Sequence, residues 1–212
     1  MVFEPITLQT ADGLTLEAEL CVPRTAWAAA VLAHPHPLHG GSMRSIVTGA
    51  LFEGLPQEGV ACLRFNFRGV GASQGRHDEG RGERQDVVAG VDALAPITEG
   101  LPLALCGWSF GADTALAVGD PRVGGWVGVA PPLRATADLV AASDPRPTLL
   151  VIAEHDQFNP PGTALPAVEG WVATRTQVVP GADHYFVGKT DQVVSLALEL
   201  VGTLGDPDGA AR

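Results

Sequence analysis

Short apolar runs alternate with longer amphipathic stretches along most of this chain. Continuous apolar runs predict six strands: Ala28–Ala33, Val60–Phe65, Leu101–Cys106, Val123–Val129, Thr148–Ala153 and Thr176–Val179. Apolar residues at helical spacing predict five helices: Ser45–Glu58, Glu83–Leu94, Phe110–Val118, Thr163–Ala173 and Thr190–Leu204. Buried strands separated by helices are typical of an α/β protein, in which a mostly parallel sheet is covered by helices on both faces.

The two ends of the chain complete this organisation. Residues Ile6–Leu8 and Leu14–Cys21 alternate apolar and polar side chains around a turn at Ala11-Asp12-Gly13, which predicts an antiparallel hairpin. The sheet then has about eight strands. Residues 205–212 have nothing to bury and predict a flexible C-terminal tail, so residues 1–204 form a single domain.

Composition limits the cellular locations and the classes of binding partner to be expected. The net charge of −11 disfavours binding to nucleic acid or to an anionic membrane surface, and no apolar run is long enough to span a bilayer. The N-terminus lacks the basic and apolar segments of a secretion signal, and the three cysteines lie in apolar strands. The sequence therefore predicts a cytoplasmic protein with free, buried thiols. It does not indicate an oligomeric state.

The pattern Gly-x-Ser-x-Gly occurs twice, around Ser73 and around Ser109. A nucleophilic serine in this pattern lies on a sharp turn between a buried strand and a helix. Ser109 has an apolar strand before it and a helix of small residues after it. Ser73 follows a glycine-rich loop and precedes polar, turn-forming residues. The context predicts that Ser109 is the nucleophile and that Ser73 is a loop residue.

A serine nucleophile needs a base and an acid that orients the base. Asp156 follows the strand Thr148–Ala153, and His184 follows Thr176–Val179, so both fall where catalytic loops of open α/β sheets gather. The predicted catalytic residues are Ser109, Asp156 and His184. Glu154 and Asp183 are rival acids and His155 is a rival base. Each is disfavoured by its position at a strand end or beside its would-be partner.

The loop His34-Pro-His-Pro-Leu-His-Gly-Gly41 follows the first predicted parallel strand. Acyl transfer requires two backbone N–H groups that stabilise the oxyanion. One expected donor is Phe110, which follows the nucleophile. Pro35 and Pro37 lack an N–H, which leaves His34 and His36 as candidates for the other, and His36 is favoured because its flanking prolines would fix its peptide. The side chains of His34 and Leu38 in this loop, together with that of Trp108, are expected to line the substrate pocket. A metal site at the three histidines is disfavoured, because no carboxylate or cysteine joins them.

With these residues placed, the chain resembles the α/β-hydrolase superfamily. It is most similar to small bacterial hydrolases with a His-Pro-His-Pro segment, which are related to dienelactone hydrolases and esterases. The matching segments are 34–37, Arg64–Gly71 with Ser73, 107–111, and the positions of Asp156 and His184. The resemblance implies a Ser-His-Asp triad that cleaves an ester, thioester or amide through an acyl-enzyme, without a cofactor. The short segment between Pro131 and Pro147, with a possible helix at Thr136–Ala142, predicts a minimal lid and therefore small acyl substrates.

Two other classes of function are weaker. A binding protein with this fold would have lost catalytic residues, yet every required residue type is present. A dinucleotide-binding oxidoreductase would need a glycine-rich turn that opens a helix after a strand. The best segment, Gly69-Val-Gly71-Ala-Ser-Gln74, lacks the third glycine. The preferred hypothesis is a carboxylesterase-like serine hydrolase that binds a small acyl substrate.

Overall fold

The structure, a computed structural model, describes residues 2–134 and 138–205. Eight strands form one sheet: β1 Glu4–Gln9, β2 Thr15–Cys21, β3 Ala28–Ala33, β4 Val60–Phe65, β5 Leu103–Trp108, β6 Gly125–Val129, β7 Thr148–His155 and β8 Thr174–Asp183. Their order across the sheet is β1-β2-β4-β3-β5-β6-β7-β8. The contacts of β1 with β2 and of β2 with β4 are antiparallel, and all the others are parallel. The predicted fold class is confirmed.

Helices cover both faces of the sheet. They are α1 Ile46–Gly54, α2 Arg81–Leu94, α3 Phe110–Leu116, α4 Pro161–Ala167 and α5 Thr190–Thr203, with short 3-10 turns at Pro37–His39, Leu55–Glu58 and Val140–Ala142. Helices α1 and α5 pack on one face and α2, α3 and α4 on the other. Successive residues of a strand serve opposite cores: Val31 faces α2, whereas Leu32 faces α1. This two-sided burial explains why the central strands are almost entirely apolar; Arg64 of β4, a charged exception, is paired with Glu19 of β2.

Several predicted boundaries are wrong for local reasons. The predicted helix Ser45–Glu58 breaks into α1 and a 3-10 turn, because Pro56 and the positive φ of Gly59 end the regular helix. The predicted helix Thr163–Ala173 is shorter and begins earlier, at Pro161, where proline suits the first helical position. Strand β8 is longer than predicted at both ends, because it is an edge strand whose outward residues are polar and exposed.

Strand β5 begins and ends two residues later than predicted, so Ser109 follows it directly. The segment between β6 and β7 holds the 3-10 turn at Val140–Ala142. The possible helix Thr136–Ala142 begins with residues 136 and 137, which lie outside the described residues, as do residues 206–212 of the predicted tail. Across the described residues, none of the helices combines the length and the apolar character needed to cross a bilayer.

The three cysteines are buried and free, as predicted. Burial raises the pKa of the Cys106 thiol to about 12. The pKa of Cys62 is also raised, first by burial and then by the neighbouring thiols. Such thiols stay protonated at neutral pH and pack as small apolar side chains.

Candidate active site

Ser109 lies at the sharp turn between β5 and α3. Its backbone has φ 55° and ψ −122°, a region that residues with a side chain rarely adopt. The Ser109 N–H donates to the carbonyl oxygen of Val129 at 2.8 Å, which ties the turn to β6. The strained turn is therefore held by the sheet, and Ser109 remains only partly buried at its carboxyl edge.

The glycines that flank Ser109 are required by backbone packing. A Cβ atom on Gly107 would lie 2.2 Å from the carbonyl oxygen of Gly111. A Cβ atom on Gly111 would lie 2.4 Å from the carbonyl oxygens of both Ala33 and His34. Strand β5, helix α3 and the end of β3 thus approach each other too closely for any side chain at these positions.

His184 connects Ser109 to Asp156. Its Nε2 lies 3.0 Å from Ser109 Oγ, and its Nδ1 lies 2.8 Å from Asp156 Oδ2. The other Asp156 oxygen accepts the N–H groups of Phe158 at 2.8 Å and Asn159 at 3.1 Å. Burial alone would raise the pKa of Asp156, but the hydrogen bonds from His184 and the two N–H groups outweigh it and lower this pKa. Asp156 is thus an ionised carboxylate aimed at the imidazole.

Aromatic side chains hold His184 in place. The indole Nε1–H of Trp108 donates to the carbonyl oxygen of His184 at 3.0 Å. The rings of Phe158 and Tyr185 pack edge-on against the imidazole, with centroids 4.6 and 5.6 Å away. These contacts fix both the backbone and the ring plane of His184.

The rival acids and base have other contacts. Glu154 accepts the N–H of Gly181 at 2.7 Å, and Asp183 accepts the N–H of Tyr185 at 3.0 Å. His155 is exposed and lies 3.6 Å from Glu154. Of the candidates, the structure brings Asp156 and His184 to Ser109.

The loop after β3 turns tightly beside Ser109. The carbonyl oxygen of His36 accepts the N–H groups of both His39 and Gly41, and a Cβ on Gly41 would lie 2.1 Å from the oxygen of Pro35. His36 and Phe110, the expected oxyanion donors, both line the cavity at Ser109. Within residues 2–134 and 138–205, neither backbone N–H donates to a protein acceptor. Both remain available to a ligand.

The cavity over Ser109 has a volume of about 620 Å³. Of the three residues expected to line it, only Trp108 does so. His34 is fully buried instead: its Nε2 accepts the N–H of Phe67 at 3.0 Å and its Nδ1 lies 2.6 Å from the oxygen of Pro35. Burial lowers the pKa of His34 to about 4, although the contact with Pro35 opposes the shift. Leu38 is 70% exposed and does not line the cavity.

Several residues that line the cavity were not expected from the sequence: His77, Arg84, Arg134, Phe158 and Tyr185. Phe158 and Tyr185 lie next in the chain to the predicted acid and base, so adjacency was a usable signal. The others come from loops or a helix face whose meeting at one cavity depends on the tertiary fold.

Ser73 has a structural role. It is buried, its hydroxyl donates to the carbonyl oxygen of Asn66 at 2.7 Å, and its Oγ accepts the N–H of Glu17 at 3.0 Å. It therefore joins the loop after β4 to β2 and does not line the cavity over Ser109.

Asp113 lies one helical turn after Ser109, at the cavity wall. Its two oxygens accept the N–H groups of Leu133 at 3.0 Å and Arg134 at 3.3 Å. Burial raises its pKa to about 6, against these hydrogen bonds and the positive charge of Arg134, which lower it. Asp113 anchors the segment after β6 to the helix that carries Ser109.

Comparison with known proteins identifies relatives over most of the chain. The family model of the hydrolases described as serine aminopeptidase, S33, matches residues 33–155. This stretch includes Ser109 but ends before Asp156 and His184. A protein from Rickettsia prowazekii whose function is uncharacterised is 30% identical over 175 residues, 77% of this chain and 74% of its own length. A polyketide transferase from Penicillium is 28% identical, over 73% of this chain and 52% of that protein.

Solved structures extend the likeness to nearly the whole chain. An α/β serine hydrolase homologue from Coxiella burnetii is 31% identical, with a TM-score of 0.82 over 96% of this chain and 98% of its own. An α/β serine hydrolase without a lid, from Xanthomonas campestris, is 25% identical, with a TM-score of 0.81 over 95% and 94% of the two chains. An esterase from Pyrococcus furiosus is 18% identical with a TM-score of 0.81, which shows the shared fold alone.

Proposed function

Since the chain belongs to the serine aminopeptidase (S33) family of the α/β-hydrolase superfamily, we propose that it hydrolyses small acyl esters with Ser109 as nucleophile. The observation that carries the proposal is the chain of contacts Ser109 Oγ, His184 and Asp156, at 3.0 and 2.8 Å. The distances match those of an activated nucleophile with an oriented base. The strained turn at Ser109 supports it, because such strain is typical of a nucleophile presented to substrate.

The reaction begins when Ser109 Oγ attacks the carbonyl carbon of the ester and its proton moves to His184 Nε2. Asp156 stabilises the resulting imidazolium through Nδ1. The tetrahedral intermediate then collapses: the bond to the alcohol breaks, and the leaving oxygen takes the proton from Nε2. His184 then deprotonates a water molecule, which attacks the acyl-enzyme and releases the acid. The proton passes from His184 back to Ser109 Oγ.

Negative charge develops on the carbonyl oxygen at each tetrahedral stage. The backbone N–H groups of His36 and Phe110 are the proposed donors to this oxygen, since both residues line the cavity beside Ser109 and both donors lack a protein acceptor among the described residues. Removing one such donor from an acyl-transfer enzyme typically slows turnover about 10²–10³-fold.

We expect a small substrate, because little of the described part of the chain covers the cavity. Only residues 130–147 connect β6 to β7, and the structure places no extended helix over Ser109 in residues 130–134 and 138–147. The aromatic residues Trp108, Phe158 and Tyr185 surround His184 but leave the opening partly exposed. We therefore expect activity on short acyl chains that declines as the chain lengthens.

A fluorophosphonate probe tests the nucleophile. It should label the wild type and the matched control Ser73→Ala, and it should fail to label Ser109→Ala. Turnover of p-nitrophenyl esters tests the pocket: kcat/KM should fall from acetate and butyrate to longer chains. Folded wild type that resists the probe would overturn the hydrolase proposal, and a preference for long chains would overturn the open pocket.

A further inference from the structure

Three histidines form one wall of the cavity away from His184. The ring of His36 stacks on that of His39 with centroids 4.3 Å apart and lies 4.8 Å from that of His77. His36 and His77 also contact the ring of Phe110, at 5.0 and 5.3 Å. We call His36, His39 and His77 the imidazole wall. The proton transfers proposed above do not use these side chains.

A buried carboxylate stands behind the wall. His77 Nδ1 lies 2.8 Å from Oε1 of Glu83, whose side chain is 0% exposed. The two atoms are close, but their geometry does not suit a hydrogen bond. Glu83 also accepts the N–H groups of Asp78 at 2.8 Å and Gly80 at 2.9 Å. Within the described parts of the chain, His77 is the only basic side chain at ion-pair distance from Glu83.

This arrangement orients His77. A buried carboxylate is stable only when polar groups surround it, and Glu83 contacts two backbone N–H groups as well as His77. Since Nδ1 faces Glu83, the opposite edge of the ring carries Nε2, and His77 lines the cavity. Nε2 is therefore the ring nitrogen that can contact a ligand in the cavity.

Arginine side chains adjoin the imidazole wall. Arg84 and Arg134 line the same cavity, together with the exposed carboxylate Glu79 and with Asp113, whose oxygens accept two backbone N–H groups. Burial lowers the pKa of His36, and His39, His77 and Arg134 lower it further, against an opposing effect of Glu83. His36 Nδ1 accepts the N–H of Leu38 at 3.2 Å, which places the proton of the neutral ring on Nε2 as a second donor. The wall therefore suits an anionic group.

The orientation of the substrate decides which part meets the wall. The leaving alcohol receives its proton from His184, so it lies on the side of Trp108, Phe158 and Tyr185, which pack around that ring. The acyl group that stays on Ser109 extends into the remaining space. That space is bounded by Phe110 and the imidazole wall.

We propose that the imidazole wall selects esters whose acyl group ends in a carboxylate, with His77 as the specificity-determining residue and Glu83 as the residue that positions it. The proposal rests on the hydrolase function proposed above and names its substrate class: short monoesters of dicarboxylic acids. His77 binds the distal carboxylate, and the ester carbonyl then lies at Ser109.

Matched substrates test the selection. Monoethyl glutarate and ethyl hexanoate have acyl groups of similar length, and only the first ends in a charge. We expect wild-type kcat/KM to favour monoethyl glutarate about tenfold or more, the scale of one charge-assisted hydrogen bond. Equal rates, or a preference for ethyl hexanoate, would overturn the substrate class.

Variants assign the preference to the wall. His77→Phe keeps the ring that packs on His36 and Phe110 but removes both donors, so KM for monoethyl glutarate should rise about tenfold while kcat/KM for ethyl hexanoate stays within about twofold. Glu83→Gln should raise the same KM in the same direction. Glu199→Gln is the matched control, since Glu199 is exposed and pairs with Arg175 at 3.1 Å, far along α5. A rise in KM for both esters would show a merely structural role and overturn the assignment.

Binding without catalysis separates this proposal from the hydrolase function. Calorimetric titration of glutarate into Ser109→Ala protein should give a Kd at least about tenfold lower than titration into the Ser109→Ala, His77→Phe double variant, and hexanoate should show no such difference. If neither ester is hydrolysed but glutarate binds in a His77-dependent way, the function fails and the anion site stands. If both esters are hydrolysed and glutarate binding ignores His77, the anion site fails and the hydrolase stands.

Discussion

Residues 71–75 and residues 107–111 share the pattern Gly-x-Ser-x-Gly, and both segments follow a buried parallel strand. Ser73 comes eight residues after β4 ends, whereas Ser109 follows β5 directly. The hydroxyl of Ser73 forms hydrogen bonds with the backbone of Asn66 and Glu17. The hydroxyl of Ser109 has one side-chain contact, His184, and faces a cavity. The number of residues between the strand end and the serine therefore separates a hydroxyl that bonds to backbone from one that faces a cavity.

The glycines of the two segments also serve different needs. Gly71 and Gly75 have φ of 56° and 82°, so they provide turns that other residues adopt poorly. Gly107 and Gly111 lack a positive φ and are required because neighbouring backbone occupies the space of a side chain. The same pattern therefore corresponds to a turn with positive φ angles in the first segment and to a close approach of strand and helix in the second.

The largest difference between the segments should appear in turnover. Ser109→Ala removes the proposed nucleophile and should lower kcat/KM on a short ester about 10⁴-fold or more, because the remaining groups cannot form an acyl-enzyme. Ser73→Ala should stay within about threefold of wild type. Steady-state kinetics on p-nitrophenyl acetate measures both. Comparable losses in the two variants would erase the distinction between the segments.

Alanine at the glycines should separate close approach from turn formation. Gly111→Ala places a Cβ 2.4 Å from two backbone oxygens and should cost about 3 kcal/mol or more in the free energy of unfolding. Gly75→Ala meets a movable methyl of Leu14 and an unfavourable φ, so about 1–2 kcal/mol is expected. Urea denaturation gives both values. A smaller loss at Gly111 than at Gly75 would contradict the packing argument.

The order of the two alanine variants should reverse when stability is measured: Ser73→Ala should lose more unfolding free energy than Ser109→Ala. Ser73→Ala leaves the Asn66 carbonyl and the Glu17 N–H without their partner and should cost about 1–3 kcal/mol. Ser109→Ala removes a hydroxyl from a cavity wall and should change the free energy of unfolding by about 0.5 kcal/mol or less. Thermal or urea unfolding of the same two proteins used for kinetics tests this crossing pattern. A larger stability loss for Ser109→Ala than for Ser73→Ala would refute it.

The fold was accessible from the sequence because each central strand is buried on both faces and is almost entirely apolar. Edge strand β8 was underestimated, since its exposed positions carry polar residues such as Arg175 and Gln177. Helix α4 was misplaced because two prolines and one glycine obscure its periodicity. The position of β8 at the sheet edge decided the first boundary, and local proline chemistry decided the second.

The placement of Ser109, Asp156 and His184 was accessible because each follows a strand that the apolar pattern reveals. The cavity lining was not. His34 was expected in the pocket, but its ring turns inward to accept the N–H of Phe67. His77 looked like a residue of a polar turn, and only the fold brings it to His36 and Phe110. Side-chain direction within a loop depends on contacts that sequence spacing does not contain.

A smaller effect should come from α3, the helix that follows Ser109, because it carries the acid Asp113. Asp113 of α3 ionises near pH 6 in the folded chain and near 3.8 when unfolded. Between these values the folded chain binds more protons, so the contribution of Asp113 to stability falls as pH rises from about 4 to about 6, and it is constant above. Asp113→Asn removes this loss, and the change in unfolding free energy between pH 4 and pH 8 should shift by about 1–2 kcal/mol in favour of pH 8.

Urea unfolding of wild type and Asp113→Asn across this pH range measures the shift. Asp191→Asn is the matched control, because it makes the same substitution at an exposed position at the start of α5. The Asn side chain keeps one acceptor oxygen and therefore retains one of the two hydrogen bonds from Leu133 and Arg134, a loss that is the same at every pH. Identical pH profiles for wild type and Asp113→Asn would mean that the Asp113 carboxyl is solvated. Holding the segment after β6 against α3 would then cost no free energy of carboxylate burial.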